Sequence, residues 1–162
     1  MPAHERVSRS SFSDRLQPVA LPHPLTVLPE RVWSADEWVR IQRGYRSRDM
    51  DEKWDVFVED GVVYLHRSWT GNGIYEARFA PAAGGDWRIA QAVVEREPER
   101  YRGSGEEYDC VMLELVLSAI VLGEPALELR ERLVELTRRR PGAANAPAGA
   151  VQHSALGLRS EA

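Results

Sequence analysis

The 162-residue sequence contains one cysteine, Cys110, and no excess of positive charge. A single thiol excludes an intramolecular disulfide bond and any zinc site that needs several thiolates. The net charge of -4 at pH 7 provides no general electrostatic attraction to nucleic acid or to anionic lipid. We therefore predict neither a nucleic-acid partner nor a membrane partner.

Long apolar segments are also missing. The longest, residues 111–122, is interrupted by Glu114 and is too short to span a bilayer. Residues 1–16 contain no apolar core of a secretory signal, so a cytoplasmic location is the default expectation.

Histidine is scarce, and the four histidines are spread over positions 4, 23, 66 and 153. A metal site needs two or three converging His, Cys or carboxylate ligands, so we predict no metal. No cofactor is predicted either. Cys110 lies in an apolar segment, which indicates a small core residue rather than a nucleophile.

Composition divides the chain into three parts. Residues 1–24 are polar and rich in serine, arginine and proline, while residues 141–162 are small and polar. Both are predicted to be disordered tails. Residues 25–140 have the length and apolar content of a single domain.

Helix signals begin and end this domain. Ser34 and Glu37 fit a capping box, with Trp33 and Trp38 at the staple positions, so a helix is predicted up to Gly44.

Two further helices follow near the end of the domain. Ser104 and Glu107 fit a second capping box, before a helix that is apolar almost all round and therefore buried. Pro125 is expected at the first position of the last helix, which ends in the arginines at 138–140.

Between these helices the pattern is that of strands joined by short turns. Asp60-Gly61 predicts a two-residue hairpin turn between strands at 53–59 and 62–68. Two more strands follow the glycine-containing turns at 70–73 and 82–85. We predict an α+β fold: a four-stranded antiparallel meander flanked by an N-terminal helix and a C-terminal helical pair.

The predicted turn fixes which residues face each other in the hairpin. Asp55 should pair with His66, and the neighbouring carboxylate should raise the pKa of the imidazole. Trp54 should pair with Arg67, which allows a cation–π contact of roughly 0.5–2 kcal/mol.

A second turn at Gly71-Asn72 would place Arg67 opposite Glu76 and Leu65 opposite Arg78. These pairs have an ordinary interpretation, because cross-strand charge pairs are common on half-exposed sheets.

The density of aromatic and cationic residues at one end of the hairpin favours a functional interpretation. Aromatic walls with a few convergent cations suit an anionic or nucleotide-like ligand. The candidate ligand-binding residues are Lys53, Trp54, His66, Arg67, Ser68, Trp69, Glu76 and Arg78.

Two stretches carry a resemblance to a known family. They are KWDVFVEDGVVYLHRSWTG at 53–71 and REPERY at 96–101. The Lys-Trp strand, the His-Arg-Ser-Trp-Thr-Gly strand end and the Arg-(Asp/Glu)-Pro-Glu-x-Tyr stretch resemble a small uncharacterised bacterial domain family of unassigned function. The resemblance spans residues 48–122 and departs slightly at Glu97, where Asp is expected. It implies one coherent domain and a loose association with ADP-ribose metabolism, and it assigns no catalytic residue.

Three functions are compatible with these patterns. The favoured one is a binding module for an anionic, nucleotide-like ligand. The second is a hydrolase that uses His66, oriented by Asp55, as general base. A nucleophilic triad with Ser68 is disfavoured, because Ser68 and His66 lie two residues apart on one strand. The third is a protein–protein adaptor that binds its partner through the helical pair. The sequence does not decide whether the protein is an enzyme.

Overall fold

The computed structural model describes residues 6–103 and 105–159, apart from the side chains of residues 13 and 14. These ranges contain both helices and strands. In chain order they are a 3-10 helix (Arg9–Arg15), β1 (Pro22–Pro24), β2 (Val32–Trp33), α1 (Ala35–Gln42), β3 (Trp54–Glu59), β4 (Val62–Arg67), β5 (Gly73–Pro81), a 3-10 turn (Ala83–Gly85), β6 (Trp87–Glu95), α2 (Glu106–Leu115), a π-helical turn (Val116–Val121), α3 (Leu127–Arg138) and α4 (Ala148–Ala155).

The fold is mixed α+β with an antiparallel sheet, as predicted, but the sheet has six strands rather than four. The four predicted strands are β3 to β6, which pair in chain order as a meander. β1 and β2 both pair with the outer edge of β6. Neither has a sequence signal, since each is only two or three residues long and β1 contains two prolines, which an edge strand accommodates.

The first hairpin has the predicted register. Asp60 and Gly61 both adopt positive φ, 51° and 79°, as a type I′ turn requires. Asp55 pairs with His66 and Trp54 with Arg67. The Asp-Gly turn therefore sets which side chains share each face of the sheet.

The register of the next pair differs from the prediction. β4 ends at Arg67, and the chain turns through residues 68–72 rather than through two residues. A β-bulge follows Leu65, which pairs with Tyr75. Glu76 lies opposite Tyr64, so the predicted pairs of Arg67 with Glu76 and of Leu65 with Arg78 are wrong. The longer loop closes through its own hydrogen bonds, in which the Arg67 amide donates to Asn72 and the Gly71 amide donates to Arg67.

The capping box of α1 is confirmed. The Glu37 amide donates to the Ser34 hydroxyl at 3.1 Å, and the Ser34 amide donates to the Glu37 carboxylate at 2.8 Å. The second predicted capping box includes Ser104, which lies outside the described residues. α3 begins after Ala126, whose φ is +49°, so Pro125 precedes the helix instead of occupying its first position.

One face of the sheet packs against the helices. Leu65 and Tyr75 point to this side, and the π-helical turn contacts both β3 and α1. The N-terminal 3-10 helix covers part of the other face, where the ring centroids of Phe12 and Phe57 lie 6.0 Å apart. The core is therefore a layer between sheet and helices, with a smaller cluster beneath the N-terminal segment.

The two segments expected to be tails contain ordered structure. In the C-terminal one, α4 packs on α3 and buries Val151, and Leu156 is fully buried. Beyond α4, the Leu158 amide donates to the carbonyl of Asp51. In the N-terminal one, two backbone amides donate to the buried Glu95 carboxylate, Ala20 at 2.6 Å and Leu21 at 2.8 Å. These contacts are long-range, so local composition does not reveal them.

Candidate functional site

The predicted ligand-binding residues do not line one common pocket. Trp54 and Arg67 lie on the face of the sheet that carries the helices, and the paired residues Asp55 and His66 lie on the opposite face. The hairpin register was predicted correctly, but the depth at which each side chain is buried was not.

The Asp55–His66 pair is buried and occupied by structural hydrogen bonds. His66 is 3% exposed, and its Nδ1 donates to the carbonyl of Gly71 at 2.9 Å. The Asp55 carboxylate accepts the amide hydrogen of Ser47 at 2.7 Å. Burial lowers the pKa of His66, and this outweighs the raising effects of the Gly71 carbonyl and of Asp55. The predicted increase in the pKa of His66 is therefore wrong.

The remaining residues of the hairpin end form the loop itself. The Ser68 hydroxyl donates to the carbonyl of Glu52 at 2.7 Å. Lys53 lies over the Trp69 ring, 4.1 Å from ammonium to centroid, and both side chains donate to the carbonyl of Met50. Trp69 is 58% exposed, so it and Lys53 form an exposed rim, whereas Arg67 donates to the end of α4.

Glu76 and Arg78 lie apart from the other predicted ligand-binding residues. They border a shallow depression of about 160 Å³ on the sheet face opposite α2, together with Val62, Gln91, Ala92 and Val93. Burial raises the pKa of Glu76, while Arg9 acts in the opposite direction. The depression contains one carboxylate and one guanidinium, so it has no excess of either charge.

Trp54 and Arg67 instead hold the C-terminal helix. The Arg67 guanidinium lies 5.0 Å from the Trp54 ring centroid, which confirms the predicted cation–π contact. Both side chains donate to the carbonyl of Ala155, the indole at 2.9 Å and Arg67 Nη1 at 2.8 Å. Arg67 Nη2 donates to the carbonyl of Ser154 at 3.2 Å. A cation near the C-terminus of α4 interacts favourably with the negative end of the helix dipole.

An open cavity of about 250 Å³, called the Tyr108 cavity below, lies beside this contact, between α2, the end of α3 and α4. Ser154 and Ala155, the acceptors of Arg67, line it. The Arg140 guanidinium lies over the Tyr108 ring at 5.1 Å from the centroid. No lining residue is acidic; the full set is Tyr108, Thr137, Arg140, Ala150, Val151, Ser154 and Ala155.

Two arginines act electrostatically on the Tyr108 hydroxyl in this cavity. Burial raises the pKa of the Tyr108 hydroxyl, whereas Arg140 and Arg67 both act to lower it. Desolvation lowers the pKa of Arg67, but a guanidinium is so strongly basic that it stays charged at neutral pH. One cation, Arg140, therefore lines a cavity without carboxylates, and a second, Arg67, lies close enough to act on its Tyr108 hydroxyl.

A buried polar network supports α2 behind the cavity. The fully buried Asp109 carboxylate accepts hydrogen bonds from Tyr75 at 2.9 Å and from Tyr101 at 3.0 Å. Arg96 forms an ion pair with the same carboxylate at 2.9 Å. Arg96 and Tyr101 are the ends of the Arg-Glu-Pro-Glu-Arg-Tyr stretch, so that motif has a structural role here.

Sequence reasoning did not single out Tyr108, Asp109 or Arg140 as site residues. Arg140 was expected only as part of the arginine run that ends the last helix, and it lines a cavity because α4 packs beside that end. The arginine run at 138–140 was the sequence feature that could have indicated a cationic site here. Cys110 is half-buried, and burial raises its pKa to about 11, which does not favour a thiolate.

The described residues contain no group of three or more His, Cys, Asp or Glu side chains that could hold a metal ion. Over the same residues, none of the helices has the length and apolar character needed to cross a bilayer. Comparison of the chain with protein-family models, with curated proteins and with solved structures gives no match. The site is therefore interpreted from its own geometry.

Proposed function

We propose that this protein is a binding module for a small anionic ligand with a flat ring, of the nucleotide class, and that the ligand occupies the cavity beside Tyr108. The observation that carries this proposal is the Arg140 guanidinium over Tyr108 in a cavity whose lining contains no carboxylate. A second guanidinium, Arg67, is hydrogen-bonded to two of the lining residues. The proposal keeps Arg67 from the predicted site and adds Arg140.

The charge of the two arginines supports an anionic ligand. Among the described residues, Arg140 has no carboxylate within ion-pair distance, and Arg67 donates only to backbone carbonyls. A carbonyl carries a partial charge, so it compensates a guanidinium less fully than a carboxylate or phosphate does. A ligand anion in the cavity would supply the missing negative charge.

The flat ring of the ligand would stack on the Arg140 guanidinium, which already lies over Tyr108. Trp54 is 1% exposed, so it cannot stack on the ligand. Its role is to hold the Arg67 guanidinium in position. The cavity volume of about 250 Å³ is slightly below the usual range of small-molecule sites, roughly 300–1,000 Å³. It suits one ring system rather than a whole nucleotide.

The test is ligand binding by the full chain and by two charge-matched variants. Thermal shift and tryptophan fluorescence are measured with adenosine, AMP, ATP and ADP-ribose. Arg140→Gln removes a cation from the cavity, and Arg78→Gln removes one from the opposite sheet face. We expect at least a tenfold loss of AMP affinity in Arg140→Gln and no change in Arg78→Gln. Equal affinities in all three proteins, or no binding of any probe, would refute the proposal.

The hydrolase alternative has less structural support. A general base must reach the proton that it removes, and His66 is buried with its Nδ1 already donating to Gly71. Turnover of any probe that is lost in His66→Ala, with the fold intact, would restore this alternative.

The adaptor alternative relied on the apolar helix that includes α2. Met112, Leu113 and Leu115 on that helix are buried by the chain's own sheet and helices, so they are not available to a partner. The cytoplasmic location expected from the sequence remains part of the proposal.

A further inference from the structure

A second cleft adjoins the Tyr108 cavity on the other side of Arg140. It lies between the loop that follows β6 and the end of α3, and its volume is about 520 Å³. Arg140 lines both spaces, so they are neighbours. The residues that line the cleft are Arg102, Gly103, Leu136, Arg139, Arg140 and Pro141.

This cleft, called the arginine cleft below, has three cations and no carboxylate in its lining. Arg139 is partly neutralised, since it pairs with Glu135 at 2.9 Å and more distantly with Glu107 at 3.9 Å. Within the described ranges, no carboxylate lies within ion-pair distance of Arg102 or Arg140. The cleft therefore has a net positive charge, which contrasts with the net charge of -4 for the whole chain.

An unsatisfied hydrogen-bond donor lies directly behind the arginine cleft. Arg96 Nη2 binds Asp109, but Arg96 Nη1 is buried and has no hydrogen-bond partner among the residues described. Gly103, which lines the cleft, is the residue next to it: a Cβ at that position would lie 3.1 Å from Nη1. Buried donors are rarely left unpaired, and a ligand in the cleft reaches this one only if the backbone at Gly103 shifts.

We propose that the arginine cleft is a phosphate subsite and that the ligand carries a chain of two or more phosphates. The inference rests on the proposed function, because it extends one ligand from the Tyr108 cavity past Arg140 into the cleft. Guanidinium groups bind phosphate oxygens in a bidentate manner. Arg102 and Arg140 have no carboxylate partner among the described residues, and two such groups match a polyphosphate better than a single phosphate. The ring would then fix the orientation, and the phosphates would supply most of the affinity.

The test is calorimetric titration of the full chain with adenosine, AMP and ATP at low and at physiological salt. The variants are Arg102→Gln and Arg139→Gln, with Arg88→Gln on β6 as the charge-matched control. Arg102, Arg139 and Arg88 are all exposed, so the three variants should fold, which circular dichroism verifies. In the unmodified protein we expect ATP to bind at least tenfold more tightly than AMP, and AMP more tightly than adenosine.

In Arg102→Gln the advantage of ATP over AMP should fall to threefold or less, while adenosine affinity stays the same. Arg88→Gln should retain the full advantage. If ATP and AMP bind equally to the unmodified protein, or if Arg102→Gln keeps the full advantage, the phosphate subsite is refuted and the ring site stands. If none of the three probes binds, both proposals fail.

Discussion

Arg67 Nη1 lies 2.8 Å from the carbonyl oxygen of Ala155, so the end of the β3–β4 hairpin is hydrogen-bonded to the last turn of α4. This contact joins segments 88 residues apart in sequence. The two acceptor residues of Arg67, Ser154 and Ala155, line the Tyr108 cavity. Docking of α4 and the shape of the proposed site are therefore coupled through Arg67.

Replacement of Arg67 should loosen α4. Arg67→Ala removes two charge-assisted hydrogen bonds, and we expect a loss of about 2 kcal/mol in the free energy of unfolding. Cleavage between residues 140 and 147 by a protease should become faster. Arg78→Ala is the control, since Arg78 is exposed and distant from α4. Equal stability and equal cleavage rates in both variants would mean that α4 does not depend on Arg67.

Two glycines test the contact between the N-terminal segment and the 68–72 loop. Gly61 and Gly71 have similar φ, 79° and 77°, but only Gly71 is crowded: a Cβ there would lie 2.1 Å from the carbonyl oxygen of Arg15. Gly61→Ala should cost about 1–2 kcal/mol from backbone strain alone. Gly71→Ala should cost about 2 kcal/mol more, as measured by urea unfolding. Similar costs at the two positions would show that Arg15 does not pack on the loop.

The Asp109 network should be the most sensitive polar site in the core. Asp109→Ala leaves Arg96 without its ion-pair partner, and we expect a loss of about 3–5 kcal/mol in the free energy of unfolding. Tyr101→Phe removes one donor and leaves the carboxylate with Tyr75 and Arg96, so its cost should be about 1–2 kcal/mol. Chemical denaturation measures both, and a Tyr101→Phe cost equal to that of Asp109→Ala would contradict this order.

The buried His66 should make stability depend on pH. Its pKa is lowered in the folded protein, so below the unfolded-state value of about 6.5 the unfolded chain binds more protons. Stability should then fall as pH decreases from 7.5 through 6.5 towards the folded-state pKa. In His66→Gln this fall should be smaller, because the two proteins share every other titrating group. Unfolding curves collected at pH 7.5 and 5.5 give the comparison; an equal fall in both proteins would contradict the shift.

Local patterns predicted the hairpin and α1 correctly. Asp60-Gly61 set the register of β3 against β4, and Ser34 with Glu37 set the start of α1, because each depends on residues a few positions apart. β1, β2 and α4 depend on distant partners instead. The α4 sequence AGAVQHSA contains glycine and small residues, and its docking depends on Arg67 and Trp54 from the sheet.

The candidate site was predicted only in part, for the same reason. The Asp-Gly turn identified Arg67 beside Trp54, but it did not show that α4 covers both. Arg140 follows the end of α3 and borders a cavity only because the chain returns as α4. A site assembled from three helices has no local spacing from which to predict it.

The central claim is that the Tyr108 cavity holds an anionic ligand with a flat ring, and chemical-shift mapping of the labelled full chain with AMP tests it most directly. We predict saturable shifts at Tyr108, Thr137 and Arg140 and along α4, with little change at Glu76 or Arg78. Shifts confined to Glu76 and Arg78 on the opposite sheet face, or no saturable shifts at all, would contradict the account.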